Sequence, residues 1–233
     1  MRVVAIIPAA GSGSRVSGDV PKQFILFNNR EMISYTLEVF QNSEVIDEII
    51  VATSGQGRDI LHAIKERDGL TKLTKIVDGG LERQDSVYNA LKEANLAFDD
   101  LAVVHDAARA LLPPEVLARA VATAKEKGSA LVCQKARDTI GFLENGDLAE
   151  SGNLSYIDRN KVYLVQTPQI FRYGELTEAF ERAYSEGWYG TDESTIMRRA
   201  GYPVFISDGS ALNFKITTDE DLVIFSKLVA GRV

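Results

Sequence analysis

The chain has 233 residues, of which 45% are hydrophobic and 25% charged, an ordinary globular composition that argues against general disorder. It carries 26 Lys and Arg against 33 Asp and Glu, a net charge of −7. We therefore expect no nucleic-acid partner, because a non-specific nucleic-acid binder needs a basic surface. The single cysteine, Cys133, excludes an internal disulfide framework and a cysteine-rich zinc site.

Short apolar runs rich in β-branched residues alternate with segments of helical period. The predicted strands are Val3–Ile7, Val45–Ala52, Thr74–Val77, Leu101–His105, Ala130–Gln134 and Val162–Gln166. The predicted helices contain Ile33/Leu37/Phe40, Ile60/Leu61/Ile64, Leu117/Ala120/Val121/Ala124, Leu176/Ala179/Phe180/Ala183 and Ile196/Met197/Ala200. This alternation predicts an α/β fold, a Rossmann-like, mostly parallel sheet with helices on both faces and sites at the carboxyl ends of the strands.

Two further helices are predicted from their capping residues. One runs to Ala94 and begins at Asp85 or Ser86, since both residue types are good N-caps. The other runs from about 218 to 229, because Thr217 and Glu220 have the spacing of a capping box.

The segment Arg137–Asn160 breaks the pattern. It has no helical period and few apolar residues, with turn signals at Asn145-Gly146 and Gly152-Asn153. A surface loop of about 24 residues is long for a compact domain. We therefore predict a projecting β-arm over about residues 137–160.

The chain shows no sign of a membrane or secretory segment. No apolar stretch approaches the roughly 20 residues that span a bilayer. The N-terminus enters its first strand without a charged leader, a long apolar run and a cleavage site. We expect a cytoplasmic protein with no membrane partner, and one domain over residues 1–233, because α/β domains of this size are often single.

The strongest motif is Pro8–Arg15, directly after the first strand, followed by Pro21-Lys22-Gln23. Small residues and glycines there let backbone N–H groups approach a phosphate closely. A dinucleotide fingerprint would need Gly or Ala where Val16 stands, and a P-loop would need Lys where Asp19 stands. The alternative is a turn that is merely flexible. The two cations that follow the glycines, Arg15 and Lys22, argue against this alternative.

Further motifs follow in order and together resemble one family. They are Ala9–Arg15, Pro21–Phe24, Asp78–Val87, Val104–Arg109, Arg137–Thr139, Asp158–Asn160, Gln166–Gln169, Thr191–Glu193 and Asn213–Thr217. The set is similar to the sugar-phosphate cytidylyltransferases, and most closely to the 2-C-methyl-D-erythritol 4-phosphate cytidylyltransferases of non-mevalonate isoprenoid biosynthesis. This resemblance implies that a phosphomonoester oxygen attacks the α-phosphorus of CTP and expels pyrophosphate.

The implied chemistry agrees with the composition. A phosphomonoester carries about −1.5 to −2 charges at neutral pH, so the nucleophile needs no general base. The chain has only two histidines and one cysteine, which makes a Ser-His or Cys-His relay hard to assemble. What the site needs is cations that bring polyanionic groups together.

The resemblance also implies roles for individual residues. The catalytic cations are Arg15, Lys22, Arg159 and Lys215. The nucleotide-binding residues are Pro8, Ala9, Ala10, Gly11, Ser12, Gly13, Gly80, Arg83, Ser86, Asp106 and Ala107. The residues that bind the acceptor, a polyol phosphate, are Arg109, Thr139, Arg159, Thr191 and Lys215. Asp106 would also hold Mg²⁺ together with the CTP phosphates, as a single carboxylate often does.

Structural alternatives exist for several of these residues. Asp106 could be a turn residue or a helix cap, and Arg109 a solvated arginine at a helix start. Lys215 could reflect the alternation of an edge strand, although an unpaired ammonium in the apolar run Phe214–Ile216 would be costly. We interpret His105 as structural and Cys133 as a packed core thiol.

The sequence departs from the family pattern at two positions. Ala110 stands where proline usually follows the arginine, and Leu81 where an acidic residue often follows the paired glycines. These departures leave ribitol 5-phosphate open as an alternative acceptor.

Two other functional classes are less favoured. Val16 and the Arg15/Lys22 pair count against a nicotinamide-dependent oxidoreductase, and a catalytically silent regulator should have lost Arg15, Lys22 or Lys215. The family resemblance further implies a homodimer with exchanged arms, in which Thr139 and Arg159 serve the partner's site.

Overall fold

The protein is described here by a computed structural model that covers residues 1–11, 20–143 and 154–231. Its strands are Val3–Pro8 (β1), Leu26–Phe27 (β2), Arg30–Glu31 (β3), Glu48–Thr53 (β4), Leu73–Asp78 (β5), Leu101–Val104 (β6), Ser129–Lys135 (β7), Ile140–Leu143 (β8), Leu154–Ile157 (β9), Tyr163–Arg172 (β10) and Ile206–Asp208 (β11). Its α-helices are Met32–Gln41 (α1), Gly55–Asp68 (α2), Arg83–Glu93 (α3), Pro114–Lys127 (α4), Tyr173–Ser185 (α5), Glu193–Arg199 (α6) and Asp219–Val229 (α7).

Seven of these strands form the main sheet, in the order β11-β7-β10-β6-β1-β4-β5. The pairs β1–β4, β1–β6, β4–β5 and β7–β11 are parallel, whereas β10 runs antiparallel to β6 and β7. The predicted mostly parallel α/β sheet is confirmed. Strand β10 continues well past the predicted end at Gln166, because a register shift between Val165 and Gln169 accommodates Pro168.

Helices cover both faces of this sheet, as predicted. Alternate residues of β1 point to opposite faces, and each set joins a different hydrophobic cluster. On one face, Val3, Ala5 and Ile7 pack with Ile33 of α1, Leu61 of α2 and Leu117 of α4. On the other, Val4 and Ile6 pack with Val87 of α3, Phe180 of α5 and Met197 of α6. The carboxyl end of β1 is therefore held firmly from both sides.

Two helix starts differ from the prediction. Helix α3 begins at Arg83, two or three residues before the expected start at Asp85 or Ser86, because Glu82 is its N-cap and Asp85 is the capping-box partner at N3. Helix α7 is capped by Thr218 with Asp221, one residue beyond the predicted pair. In both cases the N-cap is a residue that the predicted caps did not include.

Strands β8 and β9 form a separate antiparallel pair within the predicted arm, with Ile140 opposite Ile157 and Leu143 opposite Leu154. We call residues 137–143 and 154–160 the β-arm. The turn signals predicted at 145–146 and 152–153 lie outside the described residues. The tyrosine of the second strand, Tyr156, is 69% exposed.

Among the helices of residues 1–11, 20–143 and 154–231, none has the length and apolar character that crossing a bilayer requires.

Candidate active site

A cavity of about 310 Å³ opens at the carboxyl ends of β1, β5 and β6. Its lining comes from the segments that follow these three strands, from the turn at 22–24 and from the segment before α7. The lining residues are Pro8, Ala9, Ala10, Gly11, Lys22, Gln23, Gly80, Leu81, Glu82, Arg83, Ser86, Asp106, Ala107, Ala108 and Lys215. Most of the predicted nucleotide-binding residues therefore meet at one edge of the sheet.

The start of the glycine loop is anchored by a buried glutamine. Gln23 Nε2 donates to the Ala9 carbonyl at 2.7 Å and to the Gly11 carbonyl at 3.0 Å. The Ala9 N–H continues the sheet by donating to the Ala52 carbonyl. The predicted residues Ser12, Gly13 and Arg15 lie outside the described residues.

The segment after β5 approaches this loop closely, and its paired glycines allow the approach. A Cβ on Gly79 would clash with the Ala10 methyl group, and one on Gly80 would clash with Asp85. The Gly80 N–H donates to Ser86 Oγ at 3.0 Å. Ser86, predicted to bind nucleotide, thus also shapes the turn that leads into α3.

A buried carboxylate, Asp106, lies at the centre of the site. Its Oδ1 accepts from Arg83 Nε at 2.9 Å, and its Oδ2 lies 2.9 Å from Lys215 Nζ and 3.8 Å from Arg109 Nε. Burial by itself would raise the pKa of Asp106, but the charges of Arg83, Lys215 and Arg109 hold it well below its usual range. Asp106 is therefore ionised at neutral pH.

A second carboxylate completes this arrangement, and sequence reasoning gave it no role. Glu193, the first residue of α6, is fully buried and accepts from Arg83 Nη1 at 2.7 Å and from Arg83 Nη2 at 3.0 Å. Burial disfavours the charged form of Arg83, but Glu193 and Asp106 raise its pKa. We call Arg83, Asp106, Arg109, Glu193 and Lys215 the Asp106 cluster. The signal for Glu193 was its place in the Thr191–Glu193 motif.

Lys215 is partnered inside the protein. The edge-strand alternative for it is wrong, because residues 214–217 form no strand. The cost of placing an ammonium in the apolar run is met by Asp106. Its segment is held on both sides, since Ile216 N donates to the Ala108 carbonyl and Lys22 Nζ donates to the Ile216 carbonyl, both at 2.9 Å.

His105 is connected by hydrogen bonds to the backbone of the Asp106 cluster. Its Nε2 lies 3.2 Å from the Arg109 carbonyl, which can only accept, so Nε2 carries the proton and Nδ1 accepts from the Thr167 hydroxyl at 3.0 Å. The Thr167 hydroxyl in turn accepts from the Asp106 N–H. Complete burial lowers the pKa of His105 to about 4, so the ring is neutral, in agreement with the predicted structural role.

Arg109 faces inward. It is buried, its Nη1 donates to the Asn213 carbonyl at 2.8 Å, and burial lowers its pKa. The solvated alternative for Arg109 is therefore wrong. The predicted core role of Cys133 agrees with the structure, since this residue is buried and burial raises its pKa to about 11.

Four of the five predicted acceptor-binding residues do not line the cavity of their own chain: the buried Arg109 and three exposed residues. Thr139, Arg159 and Thr191 are all exposed. Arg159 Nη1 donates to the Arg137 carbonyl within the same β-arm at 3.0 Å. Thr191 lies two residues before Glu193, the first residue of α6.

The two departures from the family pattern lie in different environments. Leu81 lines the cavity with its side chain fully exposed. Ala110 is buried in a cluster with Met32, Ile216 and Phe225, behind the segment that carries Lys215.

The described residues contain no group of three or more His, Cys, Asp or Glu that could hold a metal by itself. Mg²⁺, however, is commonly bound by one or two carboxylates with phosphate oxygens as the other ligands. The single carboxylate of Asp106 in the cavity wall is a ligand of this type, but its two oxygens already face Arg83 and Lys215, so the phosphates would supply most of the ligands of a bound Mg²⁺.

Comparison with protein-family models and with named relatives points to one family. The family model described as "IspD: 2-C-methyl-D-erythritol 4-phosphate cytidylyltransferase" matches residues 3–230. A protein of that name from Geotalea uraniireducens is 38% identical over 226 residues, covering 96% of this chain and 95% of its own. Another, from Geobacter metallireducens, is 38% identical over 236 residues and all of both chains.

Comparison with solved structures points to the same family. The 2-C-methyl-D-erythritol 4-phosphate cytidylyltransferase of Thermus thermophilus superposes with a TM-score of 0.78 at 31% identity, over 100% of both chains. The 4-diphosphocytidyl-2C-methyl-D-erythritol synthase of Anaerococcus prevotii superposes with a TM-score of 0.82 at 25% identity, over 98% of both chains. The resemblance seen in the sequence motifs is confirmed: the chain belongs to the 2-C-methyl-D-erythritol 4-phosphate cytidylyltransferase family.

Proposed function

We propose that this protein transfers CMP from CTP to 2-C-methyl-D-erythritol 4-phosphate, giving 4-diphosphocytidyl-2-C-methyl-D-erythritol and pyrophosphate in the non-mevalonate pathway. The observation that carries the proposal is the Asp106 cluster beside a glycine loop, in a chain that matches this family over residues 3–230. Ribitol 5-phosphate, the alternative acceptor, is not favoured, since the matched relatives carry the methylerythritol name.

The nucleotide would lie along the small residues of the cavity. Ala9, Ala10 and Gly80 leave room for backbone hydrogen bonds to a pyrimidine. Arg83 and Ser86 line the same wall. Binding through backbone groups predicts a preference for CTP over the purine nucleotides, and a weaker preference over UTP.

The chemistry needs positive charge more than it needs a base. We assign Arg15 and Lys22 to stabilising the negative charge on the α-phosphate, since preorganised cations act most strongly where charge is redistributed in the transition state. The acceptor phosphate is already ionised. The neutral, enclosed ring of His105 agrees with a reaction that uses no histidine base.

The acceptor phosphate would be held by Lys215 and Arg109, joined by Arg159, Thr139 and Thr191. Support for this assignment comes from Lys215 and Arg109, which both face Asp106. A bound acceptor phosphate would be a second anion for Lys215 and Arg109, in addition to Asp106. Asp106 keeps them beside the nucleotide before the acceptor arrives.

We also propose that the divalent cation of this reaction is Mg²⁺, held by Asp106 and the phosphates of CTP. When bound, it would neutralise charge on the triphosphate and the leaving pyrophosphate.

We further propose one domain over residues 1–233 that forms a homodimer with exchanged β-arms. The support is an exposed apolar surface on the arm, with Phe142 at 42%, Leu154 at 46% and Tyr156 at 69% exposure. A two-stranded hairpin alone is marginally stable in water, and a two-fold related copy is the commonest partner. Exchange would bring Thr139 and Arg159 to the partner's cavity. A cytoplasmic location stays a prediction.

The proposed reaction is tested by pyrophosphate release. The protein is incubated with CTP and Mg²⁺, and with methylerythritol phosphate, ribitol 5-phosphate or no acceptor. We expect release with methylerythritol phosphate and only background in the other two reactions. Release with ribitol 5-phosphate alone would overturn the acceptor assignment. Equal release with ATP in place of CTP would overturn the nucleotide assignment.

A further inference from the structure

Glu193 is a fully buried carboxylate whose side-chain partner is Arg83. Both terminal nitrogens of the guanidinium donate to it, Nη1 to Oε1 at 2.7 Å and Nη2 to Oε2 at 3.0 Å. Such two-bond pairs fix the plane of the guanidinium as well as its position. The Nε–H of Arg83 donates to Asp106 Oδ1.

The carboxylate is itself held rigidly against the sheet. Asp192 caps α6 by accepting from Thr195 N at 2.9 Å. Gln169, on β10, donates to Asp192 and accepts from Ser194 N at 2.8 Å. Glu193 therefore stands on a helix start that is tied to the central sheet from both sides.

The two oxygens of Asp106 have different partners. Oδ1 accepts from Arg83 Nε, and Oδ2 lies 2.9 Å from Lys215 Nζ. Arginine can make two parallel bonds to a carboxylate. Without Glu193 nothing would fix the plane of Arg83, and the guanidinium could rotate so that a terminal N–H joins Nε–H in bonding Asp106 and competes with Lys215 for Oδ2.

The charges of the Asp106 cluster also indicate that its cations would move toward Asp106 if Glu193 were neutralised. The Asp106 cluster contains three cations and two carboxylates. Removal of the Glu193 charge would leave Asp106 as the one anion among Arg83, Arg109 and Lys215. Because unpaired charge is costly in a buried site, the cations would rearrange around Asp106.

We infer that Glu193 is a positioning residue, which holds Arg83 to a single contact with Asp106 and so reserves the second oxygen of Asp106 for Lys215. This inference rests on the proposed function, in which Lys215 serves the acceptor phosphate. Glu193 also lies two residues after Thr191, and Gln84 beside Arg83 accepts from Gly190 N at 2.8 Å. The nucleotide side of the cavity is thereby connected to the Thr191 segment.

The kinetic test compares Glu193→Gln with Glu48→Gln. Glu48 is a matched control, because it is also buried and paired with an arginine, Arg2 at 2.6 Å, but lies at the first residue of β4, away from the site. We expect Glu193→Gln to lower kcat by about 10–100-fold, the loss typical for a residue that orients a metal ligand, because Glu193 likewise orients a side chain of the site. The KM for CTP should change less than kcat, and Glu48→Gln should lower Tm without lowering kcat.

A double-mutant cycle separates positioning from general support of the fold. If Glu193 acts through Arg83, the double variant Glu193→Gln/Arg83→Gln should be no slower than Arg83→Gln alone. Independent, multiplying losses in kcat would overturn the inference. If Glu193→Gln does not fold, Glu193→Asp takes its place in the cycle, since it keeps the charge but shortens the reach by one methylene group.

A crystal structure of the free variant gives a result that does not depend on the acceptor. We expect Arg83 to make two bonds to Asp106, with Lys215 displaced from Oδ2. An unchanged contact of Lys215 with Asp106 would overturn the inference even if the enzyme is active on methylerythritol phosphate. Conversely, an inactive wild-type protein whose variant shows the rearrangement would contradict the proposed function and leave the positioning role standing.

Discussion

The predicted functional residues of the cavity and those of the β-arm differ in their burial and in their hydrogen-bond partners. At the cavity, the predicted residues Asp106 and Arg83 are buried and half-buried respectively, and they are fixed by each other and by the buried Glu193 through contacts between 2.7 and 3.0 Å. On the β-arm, Thr139 and Arg159 are exposed, and Arg159 donates to a carbonyl of the arm itself. A single chain can therefore preorganise the nucleotide side of the site, whereas we expect the arm residues to gain their partners from a second chain.

The largest effect is expected from a cavity cation. Lys22→Ala should lower kcat by about 10²–10³-fold or more, because a preorganised charge at the α-phosphate acts mainly in the transition state. Steady-state kinetics with varied CTP measures this, with the exposed Lys227→Ala on α7 as control. A rise in the KM for CTP with unchanged kcat would show that Lys22 binds ground state and transition state equally.

Next in size is the effect of neutralising the central carboxylate. Asp106→Asn leaves Arg83, Lys215 and Arg109 without a full negative charge between them, and we expect a loss of about 3 kcal/mol in the free energy of unfolding. Denaturation in guanidinium chloride measures it. Wild-type stability in this variant would mean that the three cations repel each other too little for Asp106 to matter to the fold.

The pH dependence of the free energy of unfolding tests the buried, neutral state of His105. The folded-state pKa of His105, about 4, lies below its unfolded value of 6.5, so the unfolded chain takes up the proton first as the pH falls. The free energy of unfolding should therefore fall between about pH 6.5 and pH 4, by up to about 3 kcal/mol from this residue.

His105→Gln should flatten that slope. A slope that persists in His105→Gln would assign the effect to other groups. Denaturation curves recorded at several pH values give the answer.

The smallest effect on the chain's own fold is expected at the arm. Tyr156→Ser changes a side chain that is 69% exposed, and such surface changes usually alter folding stability by less than about 0.5 kcal/mol. The same change should weaken the dimer, as measured by sedimentation at several concentrations. A dimer of wild-type strength would mean that Tyr156 lies outside the contact between the chains.

Much of the architecture followed from the sequence, because buried strands such as β1 and β6 appear as continuous apolar runs. The need for a partner at Lys215 was also predictable, since an ammonium stood in an apolar segment. The pairing of Arg83 with Glu193 was not, because 110 residues separate them and no local pattern joins them. The start of α3 was misplaced because Glu82 is a weaker capping type than Asp85.

The claim that one chain builds the cavity while its partner supplies the arm is tested most directly by mixing two inactive variants. Arg159→Ala chains keep an intact cavity, and Lys22→Ala chains keep an intact arm. With exchanged arms, half of the randomly mixed dimers contain one complete site, so activity should recover to about a quarter of the wild-type value. No recovery despite demonstrated subunit exchange would show that Arg159 serves its own chain and would contradict the account.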